Sequence, residues 1–285
     1  VRGLCNHGIP SIAYLKLPEV FLPIDPYILG YLLGDGDTSG SGRVACDQQD
    51  KSSLLDIFKS SGYTVSIGSD DGHFYMHGLR QIWKNIGLHY GKFIPSIYLR
   101  ASYAQRISLA QGLIDSDGSV DHHGSYRFSN TNYQVSLGFC EILSSLGYIP
   151  KMYKRLGRQR NGNIGKDSFE IVVSSSIPLS RLPRKLVKAR HYWKREQRTH
   201  HILRCTLVPS VPVRCIQVNS PSSLYLCTKS FIPTHNTRLI SHMLVKLADL
   251  YDYSFAVFSP EAQPQQYVRL LLEQYVGKPF DIGKS

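Results

Sequence analysis

Two stretches of the sequence share one unusual pattern, and that pattern constrains the fold more than any other feature of the chain. Residues 28–36 (ILGYLLGDG) and residues 110–118 (AQGLIDSDG) are mostly apolar and place small residues four apart. Small residues at that spacing share one face of a helix and let a second helix approach closely. Each stretch ends with a carboxylate, Asp35 or Asp117, directly before the glycine that ends the helix. We therefore expect two helices packed side by side with their carboxylates together, although either stretch alone would also fit an ordinary buried helix capped by glycine.

The sequence after each stretch repeats the same order of elements, which indicates an internal duplication. A strand and then an amphipathic helix are predicted after both glycines, and the two helices end in similar tetrapeptides, SSGY and SLGY. Tyr63 lies 27 residues after Gly36, and Tyr148 lies 30 residues after Gly118. The alternative is a coincidence of common turn residues. The full prediction comprises helix starts at Asp25 and Ser102, helices at 50–60, 79–86 and 132–145, and strands at 43–46, 64–67, 73–77, 126–129, 151–154 and 168–174.

The chain is strongly basic, with a net charge of +12 and a pI near 9.4, so a polyanion is the expected partner. Ribosomal and membrane-surface proteins share this property. The basic run at 182–198 fits either a solvated helix face or a surface that tracks phosphates. No apolar run reaches the roughly 18 residues of a membrane span, no signal peptide is recognised, and the six cysteines lack zinc-ligand spacing. We expect a folded cytoplasmic protein with reduced thiols and no membrane partner.

The two stretches resemble the paired LAGLIDADG motifs of homing endonucleases, of the DOD type carried in inteins. The second stretch matches closely, and the first matches only in its glycine and its final Asp-Gly. The resemblance implies an α+β fold of two pseudo-symmetric αββαββα repeats, at 22–100 and 101–185, whose antiparallel strands form a saddle that reads double-stranded DNA. It also implies a monomer that recognises its site with pseudo-twofold symmetry.

The same resemblance implies catalytic residues. Asp35 and Asp117 would hold Mg²⁺ between them, together with oxygen atoms of the scissile phosphate and water. Lys92 stands in a Lys-x-Ile-Pro segment where these intein endonucleases carry a catalytic lysine. A cation there would stabilise transition-state charge or help orient the attacking water, whereas the alternative is a plain surface lysine. Lys166 and Lys185 are the candidates for an equivalent in the second repeat.

Residues 186–236 combine a basic linker with a segment that resembles the C-terminal splicing blocks of inteins, the end of a β-rich Hint domain. His235 and Asn236 follow a Cys-Ile-x-Val strand by about twenty residues. The resemblance implies that Asn236 cyclises and breaks its own peptide bond, and that His235 assists by donating a proton. Thr237 would be the first extein residue and a hydroxyl nucleophile. This chemistry needs no cofactor.

Cys215 and Thr234 resemble the markers of class 3 inteins, which use an internal cysteine as the first nucleophile. The alternative for Cys215 is a buried structural cysteine. N-terminal splicing blocks are not recognised, residues 1–21 are interpreted as a connector from that missing domain, and the chain begins at Val1 without a methionine. We therefore expect a fragment that does not splice alone and that would need an N-terminal intein fragment in trans.

Residues 237–285 resemble the start of the RecA-like α/β core of phage-type replicative helicases, directly after the Walker A motif. Predicted helices at 237–250 and 268–275 flank a predicted buried strand at 254–259. The chain lacks Gly-x-x-x-x-Gly-Lys, so we do not expect ATP hydrolysis. In this interpretation the intein interrupts a helicase P-loop, and the DNA target is the helicase gene without the intein, in a phage or prokaryotic host.

Together these patterns predict a metal-dependent, site-specific double-strand DNA homing endonuclease, carried in an intein with incomplete splicing elements. Two alternatives stay open. One is the C-terminal half of a trans-splicing intein, and the other is a decayed endonuclease that binds DNA without cutting it.

Overall fold

The computed structural model describes residues 8–37, 39–68, 72–157, 165–190, 198–204, 206–209, 212, 216, 218–219, 224–234, 236–257, 263–278 and 280. The chain divides into two compact units. One comprises Val1–Leu203 with Thr228–Ile232, and the other comprises Arg204–Cys227 with Pro233–Ser285. No helix within these described ranges is long and apolar enough to span a membrane.

The first unit alternates helices with short strands. Its helices are α1 (Pro26–Asp35), α2 (Gln48–Ser60), α3 (Leu79–Asn85), α4 (Ser96–Leu99), α5 (Tyr103–Asp117), α6 (Tyr133–Ser145) and α7 (Pro183–Arg190). Its strands are β1 (Gly8–Pro10), β2 (Arg43–Ala45), β3 (Val65–Ile67), β4 (His73–Met76), β5 (Gly118–Val120), β6 (Tyr126–Asn130), β7 (Lys151–Arg155), β8 (Ser168–Val173) and β9 (Thr199–His201). The helices and strands predicted for this unit are confirmed to within two residues at their ends.

Both motif helices begin at the predicted caps. Asp25 Oδ1 accepts hydrogen bonds from Tyr27 N at 2.9 Å and from Ile28 N at 3.2 Å, and a proline follows it at the first helical position. Ser102 and Gln105 form a reciprocal capping box at the start of α5. These caps satisfy backbone N–H groups that would otherwise lack partners, so both helix starts are fixed by local sequence.

Helices α1 and α5 pack against each other through their small residues, as predicted. A Cβ atom added to Gly30 would lie 2.9 Å from Leu113 N, and one added to Gly112 would lie 2.8 Å from Tyr31 N. Both separations are shorter than real Cβ contacts, and both involve backbone rather than a flexible side chain. The glycines therefore allow the two helix backbones to approach more closely than residues with side chains would permit.

The sheets confirm that the two repeats share a topology. The strand orders are β2-β4-β3 in the first repeat and β5-β6-β8-β7 in the second. Taken in chain order, β2, β3 and β4 of the first repeat correspond to β6, β7 and β8 of the second. The corresponding strands therefore lie in the same order across the two sheets. The counterpart of β5 is a single antiparallel bridge between Gly36 and Val44. The second repeat thus shows the αββαββα order, and the first lacks one regular strand; the boundaries 22–100 and 101–185 remain predictions.

One pair of aromatic side chains joins a helix to the sheet in each repeat, although the two pairs lie on strands that are not equivalent. Phe58 of α2 meets Phe74 of β4 edge to face with ring centroids 4.9 Å apart, and Phe128 of β6 meets Phe139 of α6 at 4.8 Å. All four rings are fully buried. Burial of such a side chain stabilises the fold by about 1.5–3 kcal/mol. The core is therefore built from two similar halves around the motif helices.

A short sheet that the sequence did not predict joins β1 to β9 in antiparallel register, with Ile9 opposite His200. Neither strand has the length or alternation that a prediction needs. The pairing brings the residues before the first repeat next to those after the second.

The remaining elements are β10 (Tyr225–Cys227), β11 (Ile232–Thr234), α8 (Asn236–Tyr251) and α9 (Pro264–Val276), and all of them lie in the second unit except Ile232, the first residue of β11. Strands β10 and β11 form a two-stranded sheet, and both predicted helices are confirmed. The predicted strand at 254–259 is wrong over its described part, because residues 254–257 have no regular secondary structure and are exposed. A buried strand needs neighbouring strands to cover it, and none pairs with it among the described residues. The Hint and RecA-like folds remain predictions.

Candidate active site

The C-terminal ends of the two motif helices bring Asp35 and Asp117 to one place. A Cβ atom on Gly34 would lie 3.1 Å from Asp117 Oδ2, so this carboxylate of α5 lies against the last turn of α1, one residue before Asp35. The glycines that follow, Gly36 and Gly118, are extended rather than left-handed. A Cβ on either would crowd the preceding helical turn, which explains why glycine stands there.

Both carboxyl groups are harder to ionise than usual. Burial, and next the nearby Asp117 carboxylate, raise the pKa of Asp35 to about 6, against the opposing charge of Lys92. Burial also raises the pKa of Asp117, although Asn130 Nδ2 donates a hydrogen bond to Asp117 Oδ2. A shared divalent cation would remove the mutual repulsion of this pair.

Lys92 lies beside the carboxylates and is not a plain surface lysine. Its Nζ donates hydrogen bonds to Gly34 O at 2.8 Å and to Gly36 O at 2.7 Å, at the C-terminal end of α1. Burial lowers the pKa of Lys92, and the charges of Asp117 and Asp35 oppose that shift. The ammonium group is therefore fixed next to the carboxylate pair.

Lys185 is the candidate from the second repeat that the structure places near the site. Its Nζ donates to Ile114 O at 2.7 Å and to Asp115 O at 2.9 Å, near the C-terminal end of α5, and the residue is 3% exposed. Its positive charge lowers the pKa of both Asp35 and Asp117. Lys166, the other candidate, is exposed.

Asp115 is a buried carboxylate to which the sequence assigned no role. It accepts hydrogen bonds from Tyr27 OH at 2.9 Å, from Arg181 N at 2.7 Å and from Ser180 Oγ. Burial raises the pKa of Asp115, and these hydrogen bonds oppose the shift. The network joins α1, α5 and the segment that leads into α7, and so it fixes the helix that carries Lys185.

The raised pKa of Asp35 predicts a pH-dependent cost of folding in the metal-free protein. The folded state holds this proton up to about pH 6, whereas the group has a pKa of 3.8 without the fold. Stability is therefore lost as pH rises from about 4 to 6, and the loss is complete above that range. With chelator present, we expect Asp35→Asn to be about 1–3 kcal/mol more stable than the native chain at pH 8, with little difference at pH 4.

Urea denaturation of both chains at the two pH values measures this difference. Asp56→Asn, at an exposed position of α2, serves as the control for the same change of side chain away from the carboxylate pair. A native chain that is more stable than Asp35→Asn at pH 8 would contradict the prediction.

The predicted splicing residues are only partly described. Cys215 and His235 lie outside the described residues. Thr234 is the last residue of β11, and Asn236 and Thr237 open α8. Their roles remain predictions.

The second repeat matches a known family. Residues 105–186 match the LAGLIDADG-like domain. The chain is also 30% identical over 270 residues to the replicative DNA helicase DnaB of Mycobacterium intracellulare, and the aligned region covers 94% of this chain. It covers 44% of the relative, so the chain spans less than half of that protein's length.

Solved structures of the homing endonuclease I-DmoI are also similar to this chain. Its mesophilic variants are 17% identical with a TM-score of 0.36, and the match covers 59% of this chain and 93% of theirs. I-DmoI in complex with DNA and Mn is 17% identical with a TM-score of 0.36, over 60% of this chain and 96% of that one.

The helicase relative is informative because of the extent of its alignment. An alignment of 270 residues cannot be confined to residues 237–285, so the helicase chain includes a sequence related to the residues before 237. The domain match lies among those residues. Residues 105–186 of this chain are therefore similar to the LAGLIDADG-like domain, within a longer stretch that is similar to part of a helicase chain.

Proposed function

We propose that the first unit is a metal-dependent homing endonuclease that cuts double-stranded DNA at one site, carried in an intein that interrupts a helicase. The observation that carries this proposal is the pair Asp35 and Asp117, held at the ends of two tightly packed helices with Lys92 and Lys185 beside them. Paired carboxylates flanked by cations in a basic protein suit phosphodiester hydrolysis.

The carboxylate pair fits a Mg²⁺ site of the kind that nucleases use. Within the described ranges, no group of three or more His, Cys, Asp and Glu side chains is arranged to hold a metal ion. Mg²⁺ at phosphate sites is commonly held by one or two carboxylates, with phosphate oxygens and water as its other ligands. Asp35 and Asp117 would hold the ion, which when bound polarises the phosphate and lowers the pKa of a water molecule.

The two lysines act through fixed positive charge. Backbone carbonyls hold Lys92 Nζ at the end of α1 and Lys185 Nζ near the end of α5. Because these cations are in place before the substrate binds, they can stabilise charge that develops on the phosphate without reorganisation. Lys92 is the stronger candidate for this role, since its carbonyl partners flank Asp35 directly.

We expect Lys92→Met to lower the single-turnover rate of cleavage by about 10²–10³-fold while target binding changes only a few-fold. Methionine keeps the length and apolar stem of the side chain but removes the charge. Cleavage of a labelled duplex and gel-shift binding measure the two effects. Lys84→Met, at an exposed position of α3, is the matched control. A rate within threefold of the native chain would mean that Lys92 only caps α1.

The two sheets are the proposed DNA-binding surface. Every residue of β7 is exposed, including Lys151 and Arg155. Arg155 Nε donates to Glu170 Oε2 at 2.8 Å, and Arg127 Nη1 donates to Glu170 Oε1 at 2.9 Å. Glu170 thus holds two arginines in place on the sheet, where they can exchange its carboxylate for phosphates or base edges. Because the two repeats are covalently joined, a monomer would read both half-sites of one duplex.

We further propose that Asn236 marks the end of the intein and that residues 237–285 begin the helicase extein. The helicase relative supports this proposal. The pairing of β1 with β9 also supports it, because both connectors of an inserted domain must return to the same splicing domain. In that role Cys215, His235 and Asn236 would carry the acyl-transfer chemistry, with Thr237 as acceptor.

Cleavage assays separate this function from its alternatives. The proposed endonuclease cuts its target duplex with Mg²⁺ and not with chelator, in the cytoplasm of a phage host or prokaryote. Binding without cutting would favour a decayed endonuclease. A ligated product formed only with an N-terminal fragment would favour trans-splicing as the surviving activity.

A further inference from the structure

One turn of the splicing segment folds with the endonuclease rather than with its own neighbours in sequence. Residues Thr228–Ile232 belong to the first compact unit, whereas the residues on either side belong to the second. This turn ends a few residues before Asn236. Its contacts therefore bear on the part of the chain that the proposed splicing reaction uses.

The turn meets a buried carboxylate on α6. Glu141 is 3% exposed, and its Oε1 accepts a hydrogen bond from Arg100 Nη2 at 2.7 Å. Lys229 Nζ of the turn lies 3.4 Å from Glu141 Oε2. A carboxylate at this depth requires cationic partners, and the turn contributes one of them.

The same cluster buries the aromatic residue of the turn. Phe231 is 9% exposed, and the guanidinium of Arg100 lies 5.6 Å from the centroid of its ring. Arg100 therefore links Glu141 to Phe231 by one hydrogen bond and one cation–π contact. Because Lys229 is 77% exposed, its ion pair is screened by water, and the buried ring is the stronger anchor.

The backbone of the turn also depends on these contacts. Thr228 and Phe231 have φ values of 62° and 52°, in the left-handed region that residues with side chains seldom adopt. Phe231 N donates to Thr228 O at 3.3 Å, which closes the turn. Such a conformation persists where surrounding contacts stabilise it.

Helix α6 connects this cluster to the loop that carries Lys92. Asn132, the N-cap of α6, donates from Nδ2 to Lys92 O at 2.9 Å. A cavity of about 500 Å³ is lined by residues of both places. Lys92 comes from the loop, Asn132 and Glu141 from α6, and Lys229 from the turn. One helix thus supports both the lysine of the nuclease site and the docked turn.

We propose that Thr228–Ile232 is a docking element, a turn of the splicing segment that is held on the endonuclease fold through Phe231, Arg100 and Glu141. This inference rests on the proposed function only for the name of the segment; the docking itself is independent of either activity.

Hydrogen exchange of the full chain, read by mass spectrometry for peptides covering 228–234, tests the proposal. We expect Phe231→Ser to speed exchange there by about tenfold or more, Glu141→Gln by less, and Lys229→Met least. Exchange of α1 and α5 should stay unchanged, and DNA cleavage should stay within about twofold of the native rate. Lys59→Met, at an exposed position of α2, is the control for loss of a surface lysine.

Two outcomes would overturn the docking element. One is exchange at 228–234 that is as fast in the native chain as in an unfolded peptide, and the other is protection that survives both Phe231→Ser and Glu141→Gln. A native chain that fails to cut DNA but shows the expected exchange pattern would refute the proposed nuclease and leave the docking intact. Normal cleavage with unchanged exchange would refute the docking alone.

Discussion

Asp117→Asn is expected to reduce DNA cleavage by at least about 10³-fold while leaving target binding within a few-fold of the native chain. The substitution keeps the shape of the side chain, and its amide oxygen can still accept the hydrogen bond from Asn130. It removes one of the two charges that would hold the metal ion. Because the other ligands come from substrate and water, Asp35 alone should not retain that ion in place.

Single-turnover cleavage of a target duplex measures this effect, with binding determined separately in chelator. Asp47→Asn is a matched control, since Asp47 is an exposed N-cap of α2 and asparagine caps equally well. Cleavage by Asp117→Asn within tenfold of the native rate would show that the carboxylate is not a metal ligand.

Gly112→Ala is expected to destabilise the fold by about 2–4 kcal/mol, although the same change in an ordinary helix stabilises it by about 1 kcal/mol. The new Cβ would overlap Tyr27 O and lie 2.8 Å from Tyr31 N. Both atoms belong to the backbone of α1, so the helix must move as a whole. The carboxylates at the helix ends would separate with it, and cleavage should fall together with stability.

Urea denaturation of the two chains measures the loss of stability. Gly72→Ala is the control, because a Cβ there meets nothing within 4 Å and the residue is not left-handed. We expect the control to change stability by less than about 1 kcal/mol. If Gly112→Ala were as stable as the native chain, the close approach of the helices would not be a feature of the folded protein.

The motif helices could be predicted because sequence and structure agree there at every level. Apolar periodicity, the caps at Asp25 and Ser102, and glycines at helical spacing all specify the same paired helices. The duplication predicted that the same elements recur along the chain in both repeats, and the sheets of the two repeats have the same strand order apart from β5. The absent strand in the first repeat could not be foreseen, because turn residues around Gly36 and Gly42 carry no pattern that separates a bridge from a strand.

The sequence indicated that the two carboxylates of the candidate site lie together, and it indicated only part of what surrounds them. Asp35, Asp117 and Lys92 stand in recognisable motifs. In the sequence, Lys185 is one of many basic residues in the run at 182–198 and is not distinguished from them. In the structure, Leu182 and Lys185 are both buried. Their helical spacing was the available signal. The partners of Asp115 lie about 65 or more residues away in sequence, so only the folded chain shows that network.

The second unit shows where local patterns mislead. Residues 254–257 are apolar enough to suggest a buried strand, but Phe255 and Val257 are 41% and 45% exposed. A central strand forms only with its neighbours, whereas the amphipathic helices α8 and α9 pack against each other directly, with Ser241 Oγ donating to Tyr267 OH at 3.0 Å. Helices were therefore predicted correctly in the same segment where the strand was not.

The most direct test of the central claim compares two duplexes that differ only in the proposed insertion. One carries the uninterrupted helicase P-loop coding sequence, and the other carries the same sequence split by the intein gene. With Mg²⁺, the native chain should cut both strands of the first duplex at one position and leave the second duplex intact. The Asp117→Ala variant should cut neither duplex. Binding of the first duplex without cleavage, or equal cutting of both duplexes, would contradict a homing endonuclease.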